Sequence, residues 1–118
     1  RRMVFNVIAR NHDDHTKNFS FLMDKTGQWS FAPAYDICYS YNPAGRWTSR
    51  HQLSLNSKTD DFTREDFLAV AKNIGIRNAN HIIEEVRSSV ASWPDTAKDC
   101  GVRPEHIEAI SKTLLLRI

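Results

Sequence analysis

The chain has 118 residues, of which 41% are hydrophobic and 25% are charged, and its formal net charge is +2. These values are ordinary for one globular domain with a modest core. A charge this close to zero gives no support to a nucleic-acid-binding tail or an electrostatic membrane anchor. No apolar run approaches the ~20 residues of a membrane span, and the two cysteines, Cys38 and Cys100, lack the spacing of a zinc site. We therefore expect a single cytoplasmic domain over 1–118, without direct nucleic-acid or membrane binding.

The first element is predicted to be a helix over 2–10. Val4, Phe5 and Ile8 recur there at helical spacing. The β-branched residues would also allow a strand, but a helix gives the polar loop at 11–18 a stiffer mount. Two β-prone runs follow, at 19–23 and 28–32, and the turn between them ends in Gly27, which tolerates a positive φ.

The second half of the chain is predicted to be helical, after an irregular stretch at 37–51 that either contacts a partner or packs on the core. Thr63 begins a near capping box and Gly75 ends that helix; Asn78 caps the next one, which Trp93 closes. A short helix over 95–100 and a final helix from Pro104 complete a bundle over 63–118. Apolar residues at helical spacing are expected to face inward, namely Phe67, Leu68, Ala71, Ile74, Ile82, Ile83, Val86, Val90, Ile107, Ile110 and Leu114.

The polar loop at 11–18 carries the chemistry. It reads NHDDHTKN, and Asp13 stands five residues before Asn18, the D-x-x-x-x-N interval of a protein-kinase catalytic loop. In that chemistry the Asp accepts the proton of the attacking hydroxyl, and the Asn offers an oxygen to magnesium, a cation that prefers oxygen ligands. A second magnesium carboxylate is required downstream, and Asp36 is placed for it because the predicted hairpin carries the chain away from Asn18 and back again.

Two plainer interpretations of the loop stay open at this point. Asp13, Asp14 and Asn18 are common in turns and caps, where their side chains bond to nearby backbone. His12 and His15, three residues apart, could form half of a transition-metal site, although no cysteine lies near enough in sequence to complete it.

A longer pattern favours the kinase interpretation. The run DDHTKNFSFL at 13–22, followed by PAYD at 33–36, resembles the C-terminal lobe of HipA-type bacterial serine/threonine kinases, the toxins of toxin–antitoxin systems. The resemblance implies a mainly α fold: a helical C-terminal lobe of a protein-kinase-like fold, with one short β-hairpin next to the catalytic loop. Ile37 follows Asp36, where ordinary protein kinases have glycine, and this departure is also HipA-like.

The resemblance implies a role for each residue of the site. Asp13 is the catalytic Asp, and Asn18 and Asp36 hold Mg²⁺ at 11–36. Lys17 either steadies a phosphate of ATP or pairs with an acidic neighbour, the second being favoured. His15 is expected to order the loop through a hydrogen bond to backbone. The implied substrate is a protein with a Ser or Thr acceptor, and the implied partner is a HipB-like antitoxin.

Two other functions remain compatible with the sequence. Phosphoinositide kinases also carry D-x-H-x-x-N, but basic residues that would grip an inositol phosphate are sparse after Asp36, with only Arg46 and Arg50. A non-catalytic domain that binds an antitoxin or another protein is the third hypothesis, because nothing in the chain resembles a glycine-rich loop that covers nucleotide phosphates. For that reason, and because the chain opens at Arg1-Arg2, we expect a fragment of a longer enzyme that is inactive by itself.

Overall fold

A computed structural model describes all of residues 1–118. It contains five helices and one two-stranded antiparallel sheet, which confirms the prediction of a mainly helical chain with one hairpin. The kinase-like arrangement of these elements stays a prediction. The elements are α1 (Arg2–Ile8), β1 (Phe21–Met23), β2 (Trp29–Phe31), α2 (Arg64–Asn73), α3 (Ala79–Ala91), α4 (Trp93–Asp99) and α5 (Pro104–Ser111). None of the helices has the length and apolar character that crossing a membrane requires.

The core forms where α1 packs against α3. A helix of seven residues is not stable alone in water, so α1 depends on this packing. Burying each large aliphatic side chain contributes roughly 1.5–3 kcal/mol, which makes α1 a firm mount for the loop that follows it. The nine buried residues of the core are Val4, Val7, Ile8, Leu55, Phe62, Phe67, Ile83, Val86 and Val90.

The hairpin lies outside this core. Phe21 pairs with Phe31, and Met23 with Trp29. The Asp24 carboxylate closes the turn by accepting from the backbone N–H of Thr26 at 2.8 Å and of Gln28 at 3.0 Å. Gly27 has a φ of 84°, as the predicted turn requires. All six strand residues are exposed, so the hairpin is held by its own backbone bonds and by contacts at its base.

The helical half follows the sequence prediction with three corrections. Ile74, predicted to face inward with Phe67 and Ala71, is 66% exposed just after the end of α2. The helix predicted over 95–100 begins two residues earlier, because Pro94 fits the first turn of α4, where no N–H bond is needed. Ile107 and Ile110 of α5, predicted to face inward, are only half-buried and stay outside the core cluster, on which Leu114, Leu115, Leu116 and Ile118 pack after the end of α5. The backbone N–H of Leu115 then donates to Ile8 O at 3.0 Å, which ties the C-terminal segment to the end of α1.

Candidate active site

The loop leaves α1 through an anchored asparagine. Asn11 is buried, and its backbone N–H donates to Asn6 O at 2.8 Å. Its side-chain amide donates to Asn6 Oδ1 at 3.1 Å and to Asp36 O at 3.4 Å. One side chain therefore joins the start of the loop to the backbone of the residue predicted to bind metal.

The adjacent carboxylates Asp13 and Asp14 have opposite environments. The Asp13 side chain is 45% exposed, with His15 Nε2 at 3.6 Å from its Oδ1. The Asp14 side chain is 0% exposed and lies 2.7 Å from His51 Nδ1. Of the two carboxylates, only that of Asp13 is accessible from solution, and its catalytic role stays a prediction.

Asn18 ends a single 3₁₀ turn, Thr16–Asn18, and faces back toward Asp13. Its Nδ2 donates to Asp13 O at 2.9 Å. With the amide nitrogen committed to that bond, the carbonyl oxygen Oδ1 points away from it and receives no hydrogen bond from the chain. This leaves an oxygen available for a cation.

Arg2 of α1 joins the two halves of the site. Its Nη2 donates to Asn18 O and, at 2.8 Å, to Tyr35 O. The guanidinium also lies 4.4 Å from the centroid of the Phe19 ring, within range of a cation–π interaction. Tyr35 completes the closure, because its hydroxyl donates to Lys17 O at 2.9 Å. One guanidinium thus joins the backbone segment before the hairpin to the segment after it, next to Asn18 and Asp36.

Asp36 adopts a left-handed backbone with a φ of 52°. Asp and Asn tolerate this conformation better than other non-glycine residues, and such positions cluster at functional sites. Burial, and then the negative charges of Asp36 and Asp13, raise the pKa of the Cys38 thiol. Both carboxylates therefore act on the same thiol.

The donor set suits magnesium better than a transition metal. No group of three or more His, Cys, Asp or Glu residues forms a metal cluster. Asn18 and Asp36 instead offer oxygens only, and Mg²⁺ commonly takes one or two protein ligands and completes its shell with water and phosphate. The half-site of His12 and His15 is not formed, because the His12 ring is buried against the rings of His51 and Tyr41.

Two further expectations for the loop are wrong. His15 makes no hydrogen bond to backbone; its Nε2 faces the Asp13 carboxylate, and its buried Nδ1 has no partner. Lys17 was expected to pair with an acidic neighbour, but it is exposed and forms no salt bridge. The free ammonium group of Lys17 is consistent with its other predicted role.

The structure also brings together a buried cluster that the sequence analysis missed. His12, Asp14 and His51 are all buried, and the rings of His12 and His51 lie with their centroids 3.9 Å apart and their planes tilted by 35°. Burial, followed by the neighbouring charges of His51 and Arg10, lowers the pKa of His12 to about 4. The only sequence signal was a second aspartate beside Asp13, since His51 is 37 residues away from Asp14.

Comparison with known proteins places these residues in a family. A family model of HipA-like C-terminal domains matches residues 1–94, which include the loop, the hairpin and the Asp36 segment. A relative from Haemophilus influenzae, described as "Putative kinase", is 25% identical over 138 aligned residues, which cover all of this chain and 40% of that protein. No solved structure matches the chain. Since the family match extends over most of the sequence and the whole candidate site, the chain belongs to the family of HipA-like C-terminal domains.

Proposed function

We propose that this chain is the C-terminal catalytic lobe of a serine/threonine protein kinase that transfers the γ-phosphoryl group of ATP to a protein hydroxyl. The family assignment and the kinase description of the relative support a kinase in general. The observation that carries the specific proposal is the contact of Arg2 with both Asn18 O and Tyr35 O. It holds together two segments that stand 18 residues apart at Asn18 and Asp36, as a shared metal site requires.

In this proposal Asp13 orients the attacking hydroxyl and accepts its proton. Its side chain is half-exposed, and its backbone is fixed from both sides: Asn18 Nδ2 donates to its carbonyl, and its own N–H donates to Ser40 Oγ at 2.9 Å. Phosphoryl transfer asks the protein mainly for positioning and electrostatic stabilisation. The half-exposed Asp13 carboxylate meets the need for positioning, because its backbone is hydrogen-bonded at both the N–H and the carbonyl.

Asn18 Oδ1 and the Asp36 carboxylate would hold magnesium, and Lys17 would contact a phosphate. When bound, Mg²⁺ neutralises charge on the phosphate oxygens. The chain contributes the anchoring, because Arg2 and Asn11 fix the backbone on either side of Asp36. His15 would hold the Asp13 carboxylate in one orientation from 3.6 Å.

The remaining parts of the activity belong to the whole protein, since the chain spans 40% of the relative's length. We propose that ATP is covered by a region outside the 118 residues, that the acceptor is a Ser or Thr of another protein, and that a HipB-like antitoxin restrains the enzyme in the cytoplasm.

The test compares Asp13→Asn, Asp36→Asn and a control, Asp99→Asn, in the full-length protein. A panel of Ser- and Thr-containing peptides is incubated with radiolabelled ATP at increasing magnesium. We expect Asp13→Asn to lose about 10²-fold or more of the rate, because it removes the proton acceptor. Asp36→Asn should also fail at low magnesium but recover partly as magnesium rises, since mass action offsets weakened ion binding. Asp99 is exposed at the end of α4 and should be silent.

Two results would count against the proposal. Wild-type activity in Asp13→Asn would end the kinase assignment of this loop. Equal magnesium rescue of both variants would show that the roles of Asp13 and Asp36 are wrongly divided.

A further inference from the structure

The loop over 40–51 is fixed to three consecutive residues of the candidate catalytic loop. At its start, Ser40 Oγ accepts from Asp13 N at 2.9 Å. Next to it, the Tyr41 ring lies 4.8 Å from the ring of His12. At its end, His51 Nδ1 bonds to Asp14 Oδ2 at 2.7 Å. Both ends of this loop therefore close on the residues that flank or include Asp13.

Asp14 supplies the strongest of these contacts. Its Oδ1 accepts from the backbone N–H of Gln52 at 2.8 Å and of Leu53 at 3.0 Å, while its Oδ2 faces His51. All three donors come from one short segment, so the carboxylate fixes both the position and the direction of that segment. Removing one donor from a buried carboxylate destabilises a protein much more than breaking an exposed ion pair. The contacts of Asp14 are therefore sensitive to mutation.

His51 meets Asp14 with only one of its two ring nitrogens. An ionised carboxylate only accepts hydrogen bonds, so His51 must donate through Nδ1. Its Nε2 is buried without a partner, and the His12 ring lies against it. His51 is therefore held by Asp14 through Nδ1 alone.

We propose that Asp14 and His51 form a positioning pair for phosphoryl transfer, holding the loop 40–51 against Asp13 so that an acceptor hydroxyl meets that carboxylate. The inference rests on the proposed kinase function. The pair does not touch the reacting atoms, since both side chains are 0% exposed. It acts by keeping Asp13 directed outward while Asp14 is directed inward, and by fixing both ends of the loop, whose exposed residues include Arg46, Trp47 and Arg50, to the backbone and side chain next to the Asp13 carboxylate.

The experiment separates positioning from mere folding. In the full-length protein, His51→Leu removes the donor, whereas His51→Asn keeps an N–H donor close to the position of Nδ1. Kinetics use the best peptide of the panel described above, with KM for ATP and for the peptide measured separately. Asp66→Asn is the control, because Asp66 is another buried carboxylate that accepts from Asn56 and Lys58 far from Asp13 in sequence.

We expect His51→Leu to lower kcat/KM for the peptide by about 10-fold or more while KM for ATP changes less than about twofold, and His51→Asn to restore most of the loss. Asp66→Asn should lower kcat only in proportion to the folded fraction. If His51→Leu does not fold, Asp14→Asn, which keeps the size and one acceptor oxygen, should show the same split at about threefold or more.

Proportional losses in His51→Leu and Asp66→Asn, or no rescue by His51→Asn, would overturn the inference. These outcomes are distinct from failure of the proposed function. An active wild type with an inactive Asp13→Asn, but unaltered kinetics in His51→Leu and Asp14→Asn, would reject the positioning pair alone. A wild type that phosphorylates no peptide of the panel would reject both.

Discussion

His12 gives the sharpest test of the structure, because it is a buried imidazole without a hydrogen-bond partner. Its side chain lies between the rings of His51 and Tyr41, and neither of its ring nitrogens finds a donor or acceptor. Charging such a ring would place a cation in an apolar site next to a second imidazole. Burial is accordingly the largest cause of the lowered pKa, which falls from 6.5 to about 4.

The magnitude follows from proton linkage. Below pH 6.5 the unfolded chain binds a proton at His12, whereas the folded chain does not bind one until the pH approaches 4. The folded state therefore loses stability relative to the unfolded state as pH falls through this window, at up to about 1.4 kcal/mol per pH unit. Over the whole window His12 contributes a loss of about 3 kcal/mol, and above pH 6.5 the loss is absent.

The assay is urea unfolding of the 118-residue chain between about pH 7.5 and pH 4, followed by tryptophan fluorescence. Carboxylates titrate in the same range, so the wild type is compared with His12→Leu, which removes one titrating group at similar volume. We expect the pH dependence of the free energy of unfolding to shrink by about 3 kcal/mol in this variant. His81→Gln is the matched control, since His81 is 75% exposed and should leave the dependence unchanged.

An identical pH dependence in wild type and His12→Leu would refute this reasoning. It would mean that His12 carries the same charge in the folded and unfolded chains, and that the ring is solvated or paired in the folded protein. If the pH dependence of the free energy of unfolding is also reduced in His81→Gln, the cause is a general charge effect and not the burial of His12.

Three further outcomes are expected. In the full-length protein, Arg2→Met keeps an unbranched side chain, shorter than arginine, and removes the donors to Asn18 O and Tyr35 O. It should raise the magnesium concentration for half-maximal activity by about threefold or more, and an unchanged requirement in a magnesium titration would contradict the role of Arg2. Ile83→Ala opens a cavity in the core and should lower the free energy of unfolding by about 2–5 kcal/mol in urea, whereas a loss below about 1 kcal/mol would place Ile83 outside the core. The 118-residue chain alone should not bind ATP with micromolar affinity in calorimetry, because it lacks a glycine-rich phosphate loop.

The parts of the fold that sequence predicts well are those set by local signals. The hairpin follows from two β-prone runs around a turn ending in Gly27, and α2 follows from Thr63 and Asp66, whose carboxylate accepts from the Thr63 N–H at 2.8 Å. The inward stripe of α3 also follows from helical spacing, with Ile83, Val86 and Val90 buried. Each of these depends on residues within a few positions of one another.

The parts that sequence predicts poorly depend on distant residues. Nothing near Asp14 signals that His51 will bury its carboxylate, and nothing near Arg2 signals that its guanidinium will close the base of the hairpin. The loop motif selected Asp13 over Asp14 through its spacing to Asn18, and the structure adds the physical distinction of exposure. The prediction for His15 failed for a different reason, because its ring faces the side chain of Asp13, two residues away, and not the backbone.

Because Arg2 binds the backbone on both sides of the hairpin, the hairpin itself can be changed without separating the two halves of the site. Asn18 O and Tyr35 O are both bound by Arg2, which belongs to a helix packed in the core. The hairpin between them is therefore not needed to hold these two segments together. Its strands are three residues long and exposed on both faces, and such a ribbon opens locally at low cost. The turn at 24–27 can therefore lengthen, shorten or accept an inserted tag while the geometry around Asp36 is kept. We therefore expect the site to tolerate a change in the length of the span between the two halves of the motif better than a change of Arg2.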